Sequence, residues 1–428
     1  MLMNVRRTII TEATRLGDDA WSLLDRVATP LAMAIVLSLA MHFWPLEENR
    51  CWEMFAPQNA LLYLAILCMV LATLSLRVRV GIGAFLPHVG ILSFVAVSML
   101  SSASSLHLLR SLTFTAKLAV WLIGGSMLFG LALRRESLPR WFLLAGAAAV
   151  AIAIGYSLIA RQWLGLETYG FFANKHKYGT YVAMMASLFG GALVAGQHKT
   201  GKAMGMGLIV LAALSCGTAG CLLGLAAGVV AIIVAANSWQ TRIAALGAAG
   251  AAAGMLILLS FVAPSRTVWN DFGLRDRDGV TVRQRYIEWQ AMINLVGERP
   301  ISGAGAGCVN DLRSMYYLGL PKLNTLEPYE LNGWLQVAAE TGIAGLVCFC
   351  WAILHAVQVS WRAIRSDRTQ PESIRPLAVG ALAALAAGCV ANLYSSWLYN
   401  GILATMVLTL CLCEYCGEKV AIASDTDG

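Results

Sequence analysis

Residues 219–236 read AGCLLGLAAGVVAIIVAA, a stretch of 18 residues without a charge. A helix that crosses a bilayer needs about 20 mostly apolar residues, so this stretch is typical of a membrane span. Similar stretches recur along the chain, at residues 28–45, 57–76, 81–100, 115–133, 141–160, 178–196, 203–217, 241–262, 333–358, 376–393 and 397–415. The pattern predicts an all-α, polytopic membrane protein with about twelve transmembrane helices.

The composition agrees with a lipid environment. Of the 428 residues, 58% are hydrophobic and only 13% are charged, whereas soluble domains carry about 25% charged residues. The net charge of +7 comes from basic residues in short clusters between the apolar stretches. Such clusters are a signal of membrane topology, so we expect the membrane, and no nucleic acid, as a partner.

The distribution of lysine and arginine predicts the orientation. With the N-terminus in the cytoplasm, the inner segments hold 17 basic residues and the short outer segments hold six, which satisfies the positive-inside rule. Both termini are then cytoplasmic, and the long segment 263–332 lies outside. We expect a cytoplasmic segment at 1–27, either an interfacial amphipathic helix or a partly ordered tail. A membrane domain at 28–415 and a cytoplasmic tail at 416–428 follow.

The outer segment contains a predicted helix. Apolar residues at helical spacing form a stripe made of Val282, Tyr286, Trp289, Ile293 and Val296. Arg285 falls at the edge of this stripe, where it can face a cavity, whereas Arg283 points further toward water. The alternative is that Arg285 pairs with Glu288 on a solvated helix face.

Glycines alternate after this helix, in the stretch PISGAGAG at residues 300–307. Gly303 and Gly305 can let backbone N–H groups turn toward an anion such as a phosphate. The alternative interpretation is a flexible turn at the end of a helix.

Polar residues gather where the outer segment re-enters the membrane. Glu330 can accept a proton from a sugar hydroxyl, or it can simply favour the dipole of the following helix. Asn332 is a candidate ligand or only an N-cap. Glu340 falls inside the predicted span, where an ionisable group needs a partner or a cavity.

A second polar cluster lies at the outer end of the span that begins near residue 178. Asn174, Lys175, His176 and Lys177 place basic and titratable groups on the outer side, against the charge rule. Binding of an anionic head group gives a reason for that placement. His176 is a candidate base or an ordinary interfacial histidine.

The cysteines and histidines predict no metal site. No pattern of His, Cys, Asp and Glu has the spacing of metal ligands, so we expect neither a metal nor a cofactor. Cys51 and Cys308 both fall on the outer side, where a disulfide between them is chemically allowed.

Four motifs follow one another in the central part of the chain. In chain order they are Asn174-Lys175-His176-Lys177-Tyr178-Gly179, Thr218-Ala219-Gly220 with Leu222-Leu223-Gly224-Leu225, Arg285 with Trp289, Pro300 and Gly303-Ala304-Gly305, and Asn332 with Leu335-Gln336, Glu340-Thr341-Gly342 and Gly345-Leu346. Their order resembles that of the bacterial O-antigen ligase and O-antigen polymerase superfamily. The resemblance covers about residues 170–350, and the last two motifs are the most specific because both order and spacing fit.

Two positions depart from the family pattern. Ala219 stands where the family often has an arginine that is linked to phosphate binding. Leu331 stands where it often has a histidine that is the usual candidate base. The chain offers substitutes for the charge and for the base, which are Lys175, Lys177 and Arg283 in the first case and Glu330 and His176 in the second.

The resemblance implies a metal-independent glycosyltransferase of surface polysaccharide assembly in the bacterial inner membrane, with the long outer loop in the periplasm. Its donor is a glycan on an undecaprenyl-pyrophosphate carrier, and its acceptor is a sugar hydroxyl on a lipid or on another glycan. Arg285 is then the catalytic clamp on the pyrophosphate, with Glu330 as base and His176 as second candidate. The expected substrate-binding residues are Arg283, Asn174, Lys175, Lys177, Gly303, Gly305 and Asn332.

The resemblance leaves ligase and polymerase activity both open, and other polysaccharide-assembly proteins are expected partners. One competing class is a transporter, or flippase, for lipid-linked sugars. Another is a non-catalytic membrane component of an exopolysaccharide assembly system. Broken or charged helices near the middle of the membrane in both halves of the chain would favour the transporter.

Overall fold

The computed structural model describes residues 88–133, 138–163, 175–215, 218–236, 238–262, 280–316, 332–366, 374–398 and 400–426, together with Pro30 and Ala34. These residues form helices and turns. The helices in chain order are α1 (Val89–Ala103), α2 (Leu108–Ala119, continued through a π-helical stretch Val120–Gly125 into Ser126–Leu133), α3 (Leu138–Trp163), α4 (Lys175–Ala195), α5 (Lys199–Ser215), α6 (Ala219–Ala235), α7 (Trp239–Val262), α8 (Val280–Glu298), α9 (Gly333–Arg365), α10 (Ile374–Ala391) and α11 (Asn400–Thr426). A short helical turn, Val309–Leu312, and a 3-10 turn, Arg313–Tyr316, lie between α8 and α9.

The described part of the chain is a helical membrane protein, as the sequence predicts. Four of its helical segments are long and apolar enough to cross a bilayer, and they are Leu108–Phe129, His176–Ala195, Gly333–Arg365 and Ile374–Ala391. Shorter apolar helices cover Val89–Ala103, Leu143–Ile159 and Ala219–Ala235. The predicted spans at 28–45 and 57–76 lie almost entirely outside the described residues, so the count of about twelve stays a prediction.

The outward faces of these helices are apolar, as contact with lipid requires. Along α9, the exposed side chains include Ile343, Val347, Trp351 and Leu354. They recur every three or four residues and therefore form one stripe of the helix. In water, a stripe of this kind would be covered by protein; in a bilayer it is solvated by acyl chains.

The core of the bundle depends on small residues. Helix α10 is packed between α4 and α6, and much of its buried surface is alanine and glycine. A Cβ atom at Gly380 would collide with the carbonyl oxygen of Leu188 in α4, and one at Gly224 in α6 would lie 2.8 Å from the carbonyl oxygen of Ala387. Close backbone approach through small residues is the usual way in which membrane helices associate.

Helix α8 differs from its sequence prediction. The residues that it buries are Ile287, Glu288, Ala291, Met292 and Leu295. The predicted helix is present, but Tyr286 and Ile293, which the predicted stripe includes, are 62% and 49% exposed, so the stripe is not the buried face of the helix. The reason is that the apolar residues of α8 surround more than one face, and the face with Met292 and Leu295 is the one that packs with Ala339 of α9.

Candidate functional site

Helix α9 is broken close to its start. Gly342 has φ 73° and ψ 178°, which are non-helical angles, whereas the residues on both sides are helical. A side chain there would collide with the carbonyl oxygen of Ile301. Glycine tolerates a positive φ at little steric cost, so Gly342 allows both the break and the close approach of the preceding loop.

The glycine-rich loop, residues 300–308, replaces the hydrogen bonds that the break removes. The N–H groups of Ala304 and Gly305 donate to the carbonyl oxygens of Ala339 and Glu340, at 2.8 and 3.0 Å. In return, the N–H of Ile343 donates to the carbonyl oxygen of Pro300 at 2.7 Å. Buried backbone groups must be paired, and this exchange pairs the groups that α9 leaves open.

Side chains of α1 and of the turn that follows it reinforce the same contact. Ser101 Oγ donates to the carbonyl oxygen of Glu340 at 2.6 Å, and Ser105 Oγ donates to that of Ala304 at 2.9 Å. The loop is therefore held from two sides, by α1 and by the broken helix.

These bonds bear on the two predicted substrate-binding glycines. The N–H of Gly303 donates to the carbonyl oxygen of Arg299 at 3.0 Å, and that of Gly305 donates to Glu340. Both glycines have positive φ angles, but their N–H groups are used within the protein. Their role as substrate contacts stays a prediction, and their role in shaping the loop is observed.

A buried polar network extends from the carboxylate of Glu340. Gln336 Nε2 donates to Glu340 Oε1 at 2.9 Å, and the N–H of Gly307 also donates to this carboxylate. Ser396 Oγ in turn donates to Gln336 Oε1 at 2.5 Å. Glu340, Gln336 and Ser396 are all at least 93% buried. Among the described residues, no hydrogen-bond partner reaches Glu340 Oε2.

The network ends in the turn between α10 and α11, residues 392–398, which we call the 392–398 turn. Gly333 at the start of α9 donates its N–H to the carbonyl oxygen of Asn392 at 2.7 Å. Trp397 is fully buried, and its ring lies 5.6 Å from those of Trp334 and Phe349. The turn is thus packed tightly onto the first half of α9.

Tyr394, at the centre of this turn, contacts two further elements. The guanidinium of Arg285 in α8 lies over its ring, 5.0 Å from the centroid, and the ring of Trp289 lies 6.5 Å away. Gly220, in the first turn of α6, has no room for a side chain because Tyr394 Cβ would be 2.6 Å from it. Tyr394 therefore joins α6 and α8 at one end of the bundle.

The start of α4 lies beside the start of α6. A Cβ atom at Gly179 would lie 2.8 Å from Cys221 Cβ and 3.0 Å from Thr218 Oγ1. His176 and Lys177 belong to the first turn of α4 and are 6% and 7% exposed. The same end of the bundle therefore gathers the starts of α4, α6 and α9, the helix α8 and the 392–398 turn.

Several predicted site residues can be placed and others cannot. Arg285 is half-buried at this end, and Glu288 is 1% exposed, so Glu288 does not lie on a solvated face. Asn332 Oδ1 accepts from the N–H groups of Trp334 and Leu335, which confirms the N-cap interpretation. Asn174 and Glu330 lie outside the described residues, as do the side chains of Lys175 and Arg283.

The possible disulfide between Cys51 and Cys308 is not formed, because Cys308 is a free, buried thiol. Cys221 in the first turn of α6 is disulfide-bonded instead. Within the described part of the chain, no group of His, Cys, Asp and Glu side chains is arranged to hold a metal ion.

Polar and charged side chains outside the spans connect the segment after the glycine-rich loop with neighbouring elements. Arg110 pairs with Asp311 across the edge of the loop. Partial burial, followed by a hydrogen bond with Glu298, raises the pKa of the Tyr316 hydroxyl above its ordinary value. Tyr316 therefore stays protonated at neutral pH, and it connects the end of α8 with the 3-10 turn that follows.

The centre of the chain is similar to one known protein family. Residues 203–350 match the family model described as O-antigen ligase. The resemblance to the O-antigen ligases is thereby confirmed. The matched O-antigen ligase segment contains Arg285, the glycine-rich loop, Glu340 and the break at Gly342. No match was found among curated proteins.

The segment that matches the family model is only part of the candidate site. The start of α4, which carries His176 and Lys177, lies outside the matched segment, and so does the 392–398 turn. Sequence reasoning missed the turn because it separates two predicted spans by only three residues. The one signal was its composition, since Tyr394-Ser395-Ser396-Trp397 is polar and aromatic between two apolar stretches.

Proposed function

We propose that this protein is a glycosyltransferase of surface polysaccharide assembly, acting from the bacterial inner membrane. It transfers a glycan from an undecaprenyl-pyrophosphate carrier to a sugar hydroxyl, as an O-antigen ligase or polymerase does. The observation that carries this proposal is the position of Arg285. It belongs to the matched O-antigen ligase segment, and it lies at the end of the bundle where the starts of α4, α6 and α9 meet.

In this reaction the bond between the donor sugar's C1 and the phosphate oxygen breaks. The pyrophosphate carrier leaves with the electron pair, and the acceptor oxygen forms the new bond to C1. The acceptor proton passes to a base. The two demands on the protein are stabilisation of the negative charge on the leaving group and acceptance of one proton.

Arg285 is proposed to stabilise the negative charge on the leaving pyrophosphate. A guanidinium offers planar, bidentate donors that match the oxygens of a phosphate. Its contact with the ring of Tyr394 restricts where the guanidinium can lie, so less conformational entropy is lost when the pyrophosphate binds. Arg283, Lys175 and Lys177 are proposed as additional cations, and Asn174, Asn332, Gly303 and Gly305 as residues that shape the substrate site.

Glu330 and His176 are the proposed bases. His176 belongs to the first turn of α4. The start of α4 lies beside the start of α6, which contacts Tyr394. His176 is therefore close to the end of the bundle that carries Arg285. Glu340 serves a different purpose. Its carboxylate is buried and is held by Gln336 and Gly307, so it fixes the loop and the start of α9 relative to the 392–398 turn.

We further propose that this end of the bundle faces the periplasm and that the whole chain has about twelve spans with both termini in the cytoplasm. The charge distribution supports this orientation. The carrier-linked glycan and its acceptor would then meet at the outer leaflet.

The break at Gly342 is the observation that favours a transporter as the second candidate, since broken helices bind substrates in many transporters. In such proteins the freed carbonyl groups line a cavity. Here the freed carbonyl groups of Ala339 and Glu340 are bonded by the glycine-rich loop. That difference favours the glycosyltransferase.

The test is glycan transfer by the purified protein in detergent, with an undecaprenyl-pyrophosphate oligosaccharide as donor and with or without a lipid-core acceptor. Lengthened glycan without the acceptor indicates a polymerase, and product only with the acceptor indicates a ligase. The comparison variant is Arg285→Ala, and the matched control is Arg362→Ala at the end of α9. A folded protein that makes no product but moves the carrier across liposomes would contradict the proposal and support the transporter.

A further inference from the structure

A basic cavity lies at the opposite end of the bundle from Arg285. Its volume is about 320 Å³. Helices α6 and α9 end at it, and α7 and α10 begin beside it. The lining side chains are Val234, Ala235, Ala236, Arg242, Trp361, Ile364, Arg365 and Arg375.

The helices fix the distance between the cavity and the candidate glycan site. Helix α6 begins at Ala219, next to Tyr394, and runs for 17 residues to Ala235 in the cavity wall. At 1.5 Å per residue this separation is about 25 Å, which is close to the thickness of the hydrocarbon core of a bilayer. Helix α10 runs the other way, from Arg375 to the 392–398 turn. The cavity therefore lies at the other face of the membrane.

Three guanidinium groups from three different helices share this cavity, and no carboxylate is among the described residues that line it. The structure shows what positions Arg242 and Arg365. Arg242 Nε donates to the carbonyl oxygen of Ala236 at 3.2 Å, and the guanidinium of Arg365 lies 4.8 Å from the centre of the Trp361 ring. Guanidinium groups that converge on one cavity favour the binding of an anion such as a phosphate, because they offer several N–H donors in a planar array.

The wall of the cavity continues into an apolar surface. Val234 lines the cavity, and both Val234 and Val230, one turn earlier on the same face of α6, are about 60% exposed. An acyl chain can lie along this face while a head group occupies the cavity. A cavity of this volume is at the small end of ligand sites, which fits a phosphate head group rather than a whole lipid.

We propose that this cavity binds the phosphate group of an anionic phospholipid from the leaflet at that face, through Arg242, Arg365 and Arg375. Basic pockets between membrane helices are known to take anionic head groups. The site is separate from the glycan site and does not depend on the proposed glycosyltransferase function. A water-soluble phosphate ester shares the same chemistry, but the exposed valines beside the cavity favour the lipid.

The experiment measures retained lipid. The full-length protein is reconstituted into nanodiscs of phosphatidylcholine with a minor fraction of phosphatidylglycerol, and the phosphatidylglycerol that stays bound on release into the gas phase is counted by native mass spectrometry. The variants are Arg365→Gln and Arg375→Gln. The matched control is Arg362→Gln, which removes the same charge from the same end of α9 but does not line the cavity. Thermal unfolding in pure phosphatidylcholine checks that each variant is folded.

We expect the wild type and Arg362→Gln to retain phosphatidylglycerol equally, and each cavity variant to bind it about five- to tenfold more weakly. An equal loss in Arg362→Gln would overturn the proposal, because the attraction would then be a general property of the basic surface. So would equal retention by all four proteins. In a second arm, glycerol phosphate is added at the same concentration as the phosphatidylglycerol, and displacement of the lipid would identify a soluble phosphate as the ligand and refute the lipid.

Discussion

The guanidinium of Arg285 lies over the ring of Tyr394, 5.0 Å from its centroid. This contact joins α8 to the turn between α10 and α11, two elements that are more than 90 residues apart in the chain. The same turn bonds to the start of α9 and touches the start of α6. The position of Arg285 is therefore set by parts of the protein that come together only in the folded bundle.

Substitution of Arg285 tests its proposed role as the pyrophosphate clamp. We expect Arg285→Ala to lower the rate of glycan transfer by roughly a hundred- to a thousandfold, the usual effect of removing a donor to a developing negative charge. Arg285→Lys keeps the charge but loses the planar pair of donors, so it should retain more activity than alanine and less than arginine. Equal transfer by all three proteins would exclude Arg285 from the reaction.

Substitution of Tyr394 tests whether the ring positions Arg285. Tyr394→Phe keeps the aromatic face and should leave glycan transfer close to wild type. Tyr394→Leu removes the cation–π contact, which is worth about 1–2 kcal/mol when partly desolvated, and should lower transfer by about five- to thirtyfold. Thermal unfolding of both variants is the control, and a loss in Tyr394→Phe equal to that in Tyr394→Leu would point to the hydroxyl instead.

Gly342→Ala tests the break in α9. The new Cβ would collide with the carbonyl oxygen of Ile301, at a residue with φ 73°, so we expect a large loss of thermal stability and of glycan transfer. Gly250→Ala in α7 is the matched control, because Gly250 has open space around it and alanine is favoured over glycine in a helix by about 0.5–1 kcal/mol. If Gly342→Ala unfolds at the wild-type temperature, the loop and the helix do not depend on each other as described.

Ser396→Ala tests the buried network that ends at Glu340. The substitution leaves Gln336 Oε1 without its 2.5 Å donor and Leu398 N–H without its acceptor. A buried polar group without a partner costs about 1–3 kcal/mol. We expect destabilisation of that order. A double-mutant cycle with Gln336→Leu should show coupling, because the two residues share one hydrogen bond. Additive effects of the two substitutions would mean that they act separately.

The membrane helices are the part of the structure that the sequence predicts well. The predicted spans 203–217 and 219–236 correspond to Lys199–Ser215 and Ala219–Ala235, and the span 178–196 corresponds to Lys175–Ala195. Such agreement is expected because apolar length is set by the bilayer and can be read locally. Helix α11 continues to Thr426, beyond the predicted end of its span, since the end of a span need not be the end of a helix.

The site is predicted less completely, for two physical reasons. The first is that Tyr394, Gln336 and Ser396 act through contacts between distant parts of the chain, which no local pattern reveals. The second is that a glycine run predicts unusual backbone angles but not the partners of its N–H groups. Gly305 has the positive φ that an anion-binding loop can use, yet its N–H bonds to Glu340. Arg285, by contrast, is predicted from its motif and its helical position, and its role in the reaction stays a prediction.

The 392–398 turn has a consequence for the order in which the protein becomes active during synthesis. The ribosome delivers α8 with Arg285 and α9 with Gln336 well before it delivers Tyr394 and Ser396. A nascent chain that has inserted every helix through α9 still has neither the ring beneath Arg285 nor the hydroxyl that bonds Gln336. The end of the bundle that carries Arg285 is therefore completed only when the hairpin of α10 and α11 enters the membrane. Under the proposed function, a growing chain stays inactive until that hairpin has docked.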